Sequence, residues 1–313
     1  MTNYYRFKFS QFPGDLINFL PGIKHVCERD NKRAILILGL DINWQSVGQL
    51  TRKSPATISH QMFESLKPLL LSQSYIAQVL SWEEFAPDTY KLWCDFFKIL
   101  RTPKEMIEFH NLHFSHTFVD LDKIYLTPTN IPFGNIHRWP WYCYPDMACD
   151  LSKPWLEVEP DDSLQDTIVV NRTLRARNDS INYQFLKPFD KKIIFVGFDD
   201  EFEEFVLSNN LIDDELIYED DDDSPIYNDA QIATNIKHVK PTNLLHLAVI
   251  IRSCKFFIGN QSLCFALAEA MKVPRILETC SYLPNVIPCG EKSYDFYFQS
   301  VLEYYFNFLN DES

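Results

Sequence analysis

The clearest fold signal in the sequence lies at residues 255–271, which read KFFIGNQSLCFALAEAM. A short apolar run ends at Gly259, three polar residues follow it (Asn260, Gln261 and Ser262), and a helical pattern then begins. We predict a strand over 255–259 and a helix over 261–271, with Asn260 as the N-cap. The apolar face of this helix repeats at helical spacing: Leu263, Ala266, Leu267, Ala270 and Met271.

The beginning of this helix is a candidate anion site. Its first backbone N–H groups have no partner within the helix, and the helix dipole adds partial positive charge there. We therefore predict that Gly259, Asn260, Gln261 and Ser262 hold a diphosphate group. An ordinary capped helix of the core is the alternative that this stretch alone leaves open.

The same order of strand, turn and helix recurs along the chain, which is typical of parallel sheets with crossover helices. Further strands are predicted over residues 4–10, 34–39, 76–80, 116–121, 167–171, 192–197 and 274–278. Further helices are predicted over residues 16–27, 62–74, 87–100, 200–209, 244–254 and 293–309. Only 8 of the 313 residues are glycine, yet Gly39, Gly197 and Gly259 end predicted strands. Ligands of doubly wound sheets bind at such turns, so we predict an α/β protein with Rossmann-like, doubly wound domains.

A domain boundary is expected near the middle of the chain. A length of 313 residues suggests two domains. Periodicity fades over Thr127–Pro160, where Pro, Trp and Tyr accumulate, and it resumes afterwards. We predict an N-terminal domain over residues 1–158 and a C-terminal domain over residues 159–313.

The charge balance restricts the partners of the protein. There are 29 Lys and Arg against 43 Asp and Glu, a net charge of −14, so we expect no nucleic-acid partner and no binding to anionic lipid. No apolar run approaches the ~18 residues of a transmembrane segment. The 8 cysteines show neither CxxC pairs nor zinc-type spacing, and no metal site is expected. No secretory leader opens the sequence, which together with these cysteines predicts a cytoplasmic protein.

A carboxylate stands at a second strand-to-helix turn, where residues 12–17 read FPGDLI. Asp15 follows Gly14 at the start of the predicted helix, and we predict that Gly14 is one of the ligand-binding residues. An aspartate at this position is commonly a helix cap. Within a cleft, an ionised carboxylate would instead suit a general base for a hydroxyl nucleophile.

Three arginines follow the strand predicted at 167–171: Arg172, Arg175 and Arg177. Guanidinium groups bind phosphate and can neutralise a leaving diphosphate. We predict that Arg172 has this catalytic role and that Arg175 also contacts the ligand. The alternative is an exposed loop whose arginines pair with the abundant carboxylates.

A further strand-to-helix turn lies at residues 195–202, FVGFDDEF. We predict that Gly197 allows a ligand to approach this turn and that Glu201 accepts a hydrogen bond from its ribose or base. Helix capping by the acidic residues is the alternative.

Two of these segments resemble the heptosyltransferase-like GT-B glycosyltransferases, glycosyltransferase family 9. Residues 14–21, GDLINFLP, are similar to the family's amino-terminal signature of Gly-Asp, four residues and Leu-Pro. Residues 257–262, FIGNQS, with Leu267-Ala268 after them, are similar to its Phe-Ile-Gly, polar triplet and Leu-Ala segment. The family usually has Asp-Thr/Ser-Gly as the triplet and a His before the Leu-Ala, where this chain has Asn-Gln-Ser and Phe265 or Ala266.

The resemblance implies two Rossmann-like domains that face each other across a cleft, the GT-B fold. It implies that the second domain holds a nucleotide-sugar donor, with the diphosphate at Asn260, Gln261 and Ser262. It further implies inverting, metal-independent transfer of a sugar to a saccharide hydroxyl, with Asp15 as the base and no cofactor besides the donor. A sugar-nucleotide epimerase and a catalytically inactive module that binds sugar nucleotides or glycans remain the alternatives.

Overall fold

The computed structural model describes residues 3–42, 57–96, 103–113, 118–126, 134–212 and 232–311. The chain divides into two compact units. The first comprises Met1–Val158 with Asn243–Leu245 and Asn285–Cys289, and the second comprises Glu159–Thr242, His246–Pro284 and Gly290–Ser313.

The first unit contains a four-stranded parallel sheet. Its strands are β1 (Tyr4–Phe9), β2 (Arg33–Leu38), β3 (Ile76–Ser81) and β4 (Val119–Asp120). Its described helices are α1 (Pro13–Arg29), α2 (His60–Leu71), α3 (Trp82–Phe85), α4 (Pro87–Phe96), α5 (Pro103–His113), α6 (Lys123–Leu126) and α7 (Trp139–Cys143). The strand order is β3-β2-β1-β4, so the switch point of this sheet lies between β1 and β4. The turn after β1 leads into α1, which begins at Pro13 because proline suits the first helical position.

The second unit contains a six-stranded parallel sheet. Its strands are β5 (Ile168–Asn171), β6 (Ile193–Val196), β7 (Ile236–Val239), β8 (Phe256–Asn260), β9 (Arg275–Glu278) and β10 (Ser293–Phe296). The accompanying helices are α8 (Asp199–Ser208), α9 (Leu244–Ser253), α10 (Leu263–Met271) and α11 (Gln299–Asp311). The order β10-β9-β8-β5-β6-β7 is the Rossmann order, with its switch point between β5 and β8. Its central strands are buried along their whole length, as in a sheet covered on both faces.

Most of the predicted strands and helices are confirmed, and two parallel-sheet α/β regions are therefore present. The prediction of a helix over 293–309 is wrong at its beginning: residues 293–296 pair with β9, and the helix starts only at Gln299. The aromatic residues of 293–296 are compatible with a helix and with a strand, and pairing with β9 makes this segment a strand. β7 was not predicted, because its four residues, IKHV, carry two polar side chains. Residues 97–100 and 116–117 of two predicted elements lie outside the described residues.

Among the described helices, none combines the length and the apolar composition that crossing a lipid bilayer requires.

Candidate functional site

The switch point between β5 and β8 is the place where open α/β sheets bind their ligands. The two strands approach closely there, since a Cβ on Gly259 would lie 2.8 Å from the backbone oxygen of Asn171. Only a residue without a side chain allows this pairing. The structure thus gives Gly259 a packing role, and its contact with a ligand stays a prediction.

The helix after β8 begins two residues later than the sequence predicts. Ser262 is the N-cap: its Oγ accepts a hydrogen bond from the backbone N–H of Phe265 at 3.2 Å. Asn260 completes β8 instead, so the prediction that Asn260 caps the helix is wrong. Ser262 Oγ also donates to Oδ1 of Asn171 at 2.7 Å, and Asn171 Nδ2 donates to the backbone oxygen of Val196 at 2.6 Å. Asn171 therefore ties the ends of β5 and β6 to the beginning of α10.

The buried side chain of Asn260 braces the segment that follows β5. Its Oδ1 accepts from the backbone N–H of Thr173 at 3.0 Å. Its Nδ2 donates to the backbone oxygens of Thr173 and Arg175 at 3.1 and 2.6 Å. These bonds favour a positioning role for Asn260. Direct contact of Asn260, half-buried Gln261 or Ser262 with a ligand stays a prediction.

Arg172 is only 3% exposed, and its guanidinium is hydrogen-bonded to Glu278 and Asn178. Its Nε and Nη2 donate to Oε2 and Oε1 of Glu278 at 2.9 and 3.1 Å, and Nη2 donates to the backbone oxygen of Asn178 at 2.9 Å. Glu278 also accepts from the backbone N–H of Asn178 at 2.6 Å and from the hydroxyl of Tyr183 at 3.1 Å. Contact of Arg172 with a leaving diphosphate would require bonds of this network to break. The geometry therefore favours a positioning role for Arg172, and its predicted catalytic role remains a prediction.

Arg175 is the exposed arginine of this segment. Across the described part of the chain, its side chain forms no hydrogen bond or ion pair. Arg177, in contrast, pairs with Asp179 at 2.9 Å and with Glu204 at 2.6 Å. Because Asn260 holds the Arg175 backbone, the structure presents this guanidinium to solvent near the end of β5. Arg172 and Arg177 are thus both paired with carboxylates, as the alternative interpretation expects, whereas the arrangement of Arg175 suits direct phosphate contact.

Glu201 binds the beginning of α8. Its Oε2 accepts from the backbone N–H of Phe198 at 3.0 Å, and a Cβ on Gly197 would lie 2.8 Å from the same oxygen. Burial raises the pKa of Glu201, and this effect outweighs the opposing hydrogen bond from Phe198. The geometry therefore favours helix capping by Glu201, with Gly197 leaving room for its carboxylate. Binding of a ribose or base at either residue stays a prediction.

In the first unit, Asp15 occupies the first turn of α1, directly after Gly14. The N-cap is Phe12, so the alternative of Asp15 as the cap is not realised. Half-buried Asp15 accepts a hydrogen bond at Oδ2 from the hydroxyl of Tyr125 at 2.6 Å. Burial, followed by the negative charge of Asp15, raises the pKa of Tyr125 well above its usual value, so its hydroxyl stays protonated. A partly shielded carboxylate at this sheet end has the chemistry of a general base.

A buried ion cluster of the first unit was missed by sequence reasoning. Lys8 Nζ lies 2.6 Å from Oδ2 of Asp122 and 3.1 Å from Oδ1 of Asp120, and the Lys8 side chain is fully buried. The same ammonium group lies 4.4 Å from the ring centroids of Trp82 and Trp93. The two carboxylates outweigh burial, which alone would lower the pKa of Lys8, so this pKa is raised. The available signal was a lysine between two phenylalanines near the end of β1, but its partners lie 112 and 114 residues further along the chain.

Within the residues that the structure describes, no three or more His, Cys, Asp or Glu side chains form a metal-binding group. The expectation that the reaction needs no metal stays a prediction.

No family model and no curated protein matches this sequence, but solved structures match its fold. The E. coli ADP-heptose lps heptosyltransferase II matches with a TM-score of 0.60 at 10% sequence identity, covering 98% of each chain. E. coli heptosyltransferase WaaC, determined with ADP, has a TM-score of 0.57 at 9% identity, covering 98% of this chain and 99% of that one. A glycosyl transferase family 9 protein from Veillonella parvula has a TM-score of 0.56 at 10% identity, covering 97% of this chain and 88% of that one.

These matches show that the chain shares its fold with family 9 glycosyltransferases over nearly its whole length. The resemblance seen at residues 14–21 and 257–262 is thereby confirmed at the level of the fold.

Proposed function

We propose that the protein is a glycosyltransferase that moves a sugar from a nucleotide-sugar donor to a hydroxyl group of a saccharide. One observation carries this proposal: exposed Arg175 and the beginning of α10 both lie at the switch point of a Rossmann-ordered sheet. The fold shared with heptosyltransferases, one of them determined with ADP, supports it.

The donor diphosphate binds at this switch point in the proposal. The first backbone N–H groups of α10, its helix dipole and the guanidinium of Arg175 supply the positive potential. Asn171 and Asn260 hold these elements together with uncharged amides, so they do not cancel that potential. The buried pair of Arg172 and Glu278 keeps the segment after β5 in place.

Asp15 is the proposed base. It accepts the proton of the acceptor hydroxyl while the acceptor oxygen forms a bond to the anomeric carbon of the donor. The bond from that carbon to the diphosphate oxygen breaks, and the nucleoside diphosphate leaves with the electron pair. Attack opposite the leaving group inverts the anomeric configuration. Positive groups that stabilise the charge on the leaving diphosphate supply a large share of such catalysis, here without a metal.

The mechanism requires the carboxyl ends of both sheets to line one cleft in the productive state, which is the GT-B arrangement. The first unit would then be the acceptor side and the second unit the donor side. The sequence predicts a cytoplasmic protein, and the proposed sugar transfer takes place in the cytoplasm.

Nucleotide binding is the first test. Thermal unfolding is measured with ADP, UDP, GDP and CMP, because a ligand at 100 times its Kd adds about 2.7 kcal/mol of stability. Absence of stabilisation by every nucleotide contradicts the donor site.

Turnover is the second test. Sugar forms of the nucleotide that binds are incubated with and without a pool of saccharides, in the presence and absence of EDTA. Sugar transfer that needs an acceptor supports the proposal, and the anomeric configuration of the product, measured by NMR, tests inversion. An isomerised sugar formed from donor alone identifies an epimerase, and binding without turnover identifies an inactive module.

A further inference from the structure

The hydroxyl of Tyr125 and the carboxylate of Asp15 are joined across two elements of the first unit. Tyr125 lies in α6 and Asp15 in α1, 110 residues apart, and the hydrogen bond between them is 2.6 Å long. Because the pKa of Tyr125 is well above its usual value, the hydroxyl donates throughout the neutral pH range. A carboxylate with such a donor is restricted in rotation about its terminal bond.

Aromatic packing holds the ring of Tyr125 in place. Its centroid lies 6.3 Å from that of Phe19 in α1 and 6.2 Å from that of Trp139 in α7. The contact with Trp139 is edge-to-face, an arrangement that aromatic pairs favour. The hydroxyl is therefore presented to Asp15 by a packed ring rather than by a mobile side chain.

The buried ion cluster holds the residue that directly precedes α6. Asp122, directly before α6, accepts at Oδ1 from the backbone N–H of Ser10 at 2.9 Å and pairs with Lys8 through Oδ2. Ser10 directly follows β1, on the path to the turn that carries Asp15. The segment of residues 120–125 thus contacts Ser10, directly after β1, through Asp122, and Asp15, in the first turn of α1, through Tyr125.

We propose that Tyr125 is the positioning residue for the base: it orients the carboxylate of Asp15 toward the acceptor hydroxyl. This inference rests on the proposed role of Asp15 in sugar transfer. Tyr125 itself exchanges no proton with the substrate. The cluster of Lys8, Asp120 and Asp122 places α6 so that the hydroxyl of Tyr125 reaches Asp15.

The test compares Tyr125→Phe with Tyr75→Phe in the full chain. Tyr75 is a matched control, since its buried hydroxyl also makes one hydrogen bond, to the backbone oxygen of Trp155 at 2.9 Å. Aspartate side chains are labelled with carbon-13, and the Asp15 carboxyl signal is assigned by its loss in Asp15→Asn. We expect this signal to shift in Tyr125→Phe and to stay in place in Tyr75→Phe.

Kinetics give the second measurement. We expect kcat for transfer to fall roughly 10- to 100-fold in Tyr125→Phe with the donor KM unchanged, because a small misplacement of a catalytic group has effects of this size. An unmoved Asp15 signal overturns the hydrogen bond, and a shifted signal with an unchanged kcat overturns the positioning role. If the unmodified protein transfers no sugar, the proposed function and the positioning role fail together, while the carbon-13 signal still decides whether the bond exists.

Discussion

The guanidinium of Arg172 and the carboxylate of Glu278 form a two-pronged buried ion pair that joins the ends of β5 and β9. β8 lies between these two strands in the sheet, so the pair connects strands that are not neighbours. Glu278 also holds the backbone N–H of Asn178 and the hydroxyl of Tyr183. One carboxylate thereby fixes the start of the connection between β5 and β6, which includes Arg175.

Glu278→Gln should destabilise the protein by about 3–5 kcal/mol, because it leaves a buried guanidinium without its charge partner. Chemical denaturation measures this change, and Glu291→Gln, at an exposed position of the same unit, should stay within about 0.5 kcal/mol of the parent. In the double variant with Arg172→Met, the loss should be smaller than the sum of the two single losses. Additive losses would show that the two side chains do not depend on each other.

Asp15→Asn should retain nucleotide affinity and lose sugar transfer by roughly 10²–10⁴-fold, the usual contribution of a general base. The amide keeps the shape of the side chain but cannot accept the proton. Asp88→Asn is the matched control, since Asp88 also lies in the first turn of a helix and is exposed. Nucleotide binding is measured by thermal shift and transfer by steady-state kinetics. Full turnover of Asp15→Asn would remove Asp15 from the mechanism.

The parts of the fold that could be predicted depend on local repetition. Apolar runs ending in glycine located β2, β6 and β8, and the Gly14-Asp15 pair located the beginning of α1. The partners at the site depend on strand order instead: Arg172 and Glu278 are 106 residues apart, and Lys8 and Asp122 are 114 apart. A sequence period carries no information about which strands become neighbours. The prediction of Asn260 as the N-cap fails for the same reason. The side-chain amide of Asn260 bonds to Thr173 and Arg175, which follow another strand, and Ser262 caps α10.

Arg175→Gln should weaken binding of a nucleoside diphosphate by roughly tenfold, as expected for the loss of one hydrogen bond to a charged group. Because Arg175 is exposed, salt screens its contribution, and the affinity of the parent should fall more steeply with ionic strength than that of the variant. Arg252→Gln, at an exposed position of α9, is the control and should bind as the parent does. Calorimetric titrations at two salt concentrations measure both effects. Equal affinities and salt slopes for parent and Arg175→Gln would remove Arg175 from the donor site.

Glu201→Gln should change the pH dependence of stability. Burial raises the pKa of Glu201 in the folded protein above its ordinary value of about 4.5. At a pH below that value, Glu201 is protonated in both the folded and the unfolded protein. Between that value and the pKa of the folded protein, the unfolded chain has already lost this proton while the folded protein keeps it. The free energy of unfolding therefore falls as the pH rises through this window. Glutamine has no proton to release, so the variant should gain stability relative to the parent as the pH rises through this window. Thermal unfolding from pH 4 upward measures the difference, and exposed Glu203→Gln on the same helix should show no such trend. If the difference in stability between Glu201→Gln and the parent stays constant across this pH range, burial of the carboxylate does not favour its protonated form.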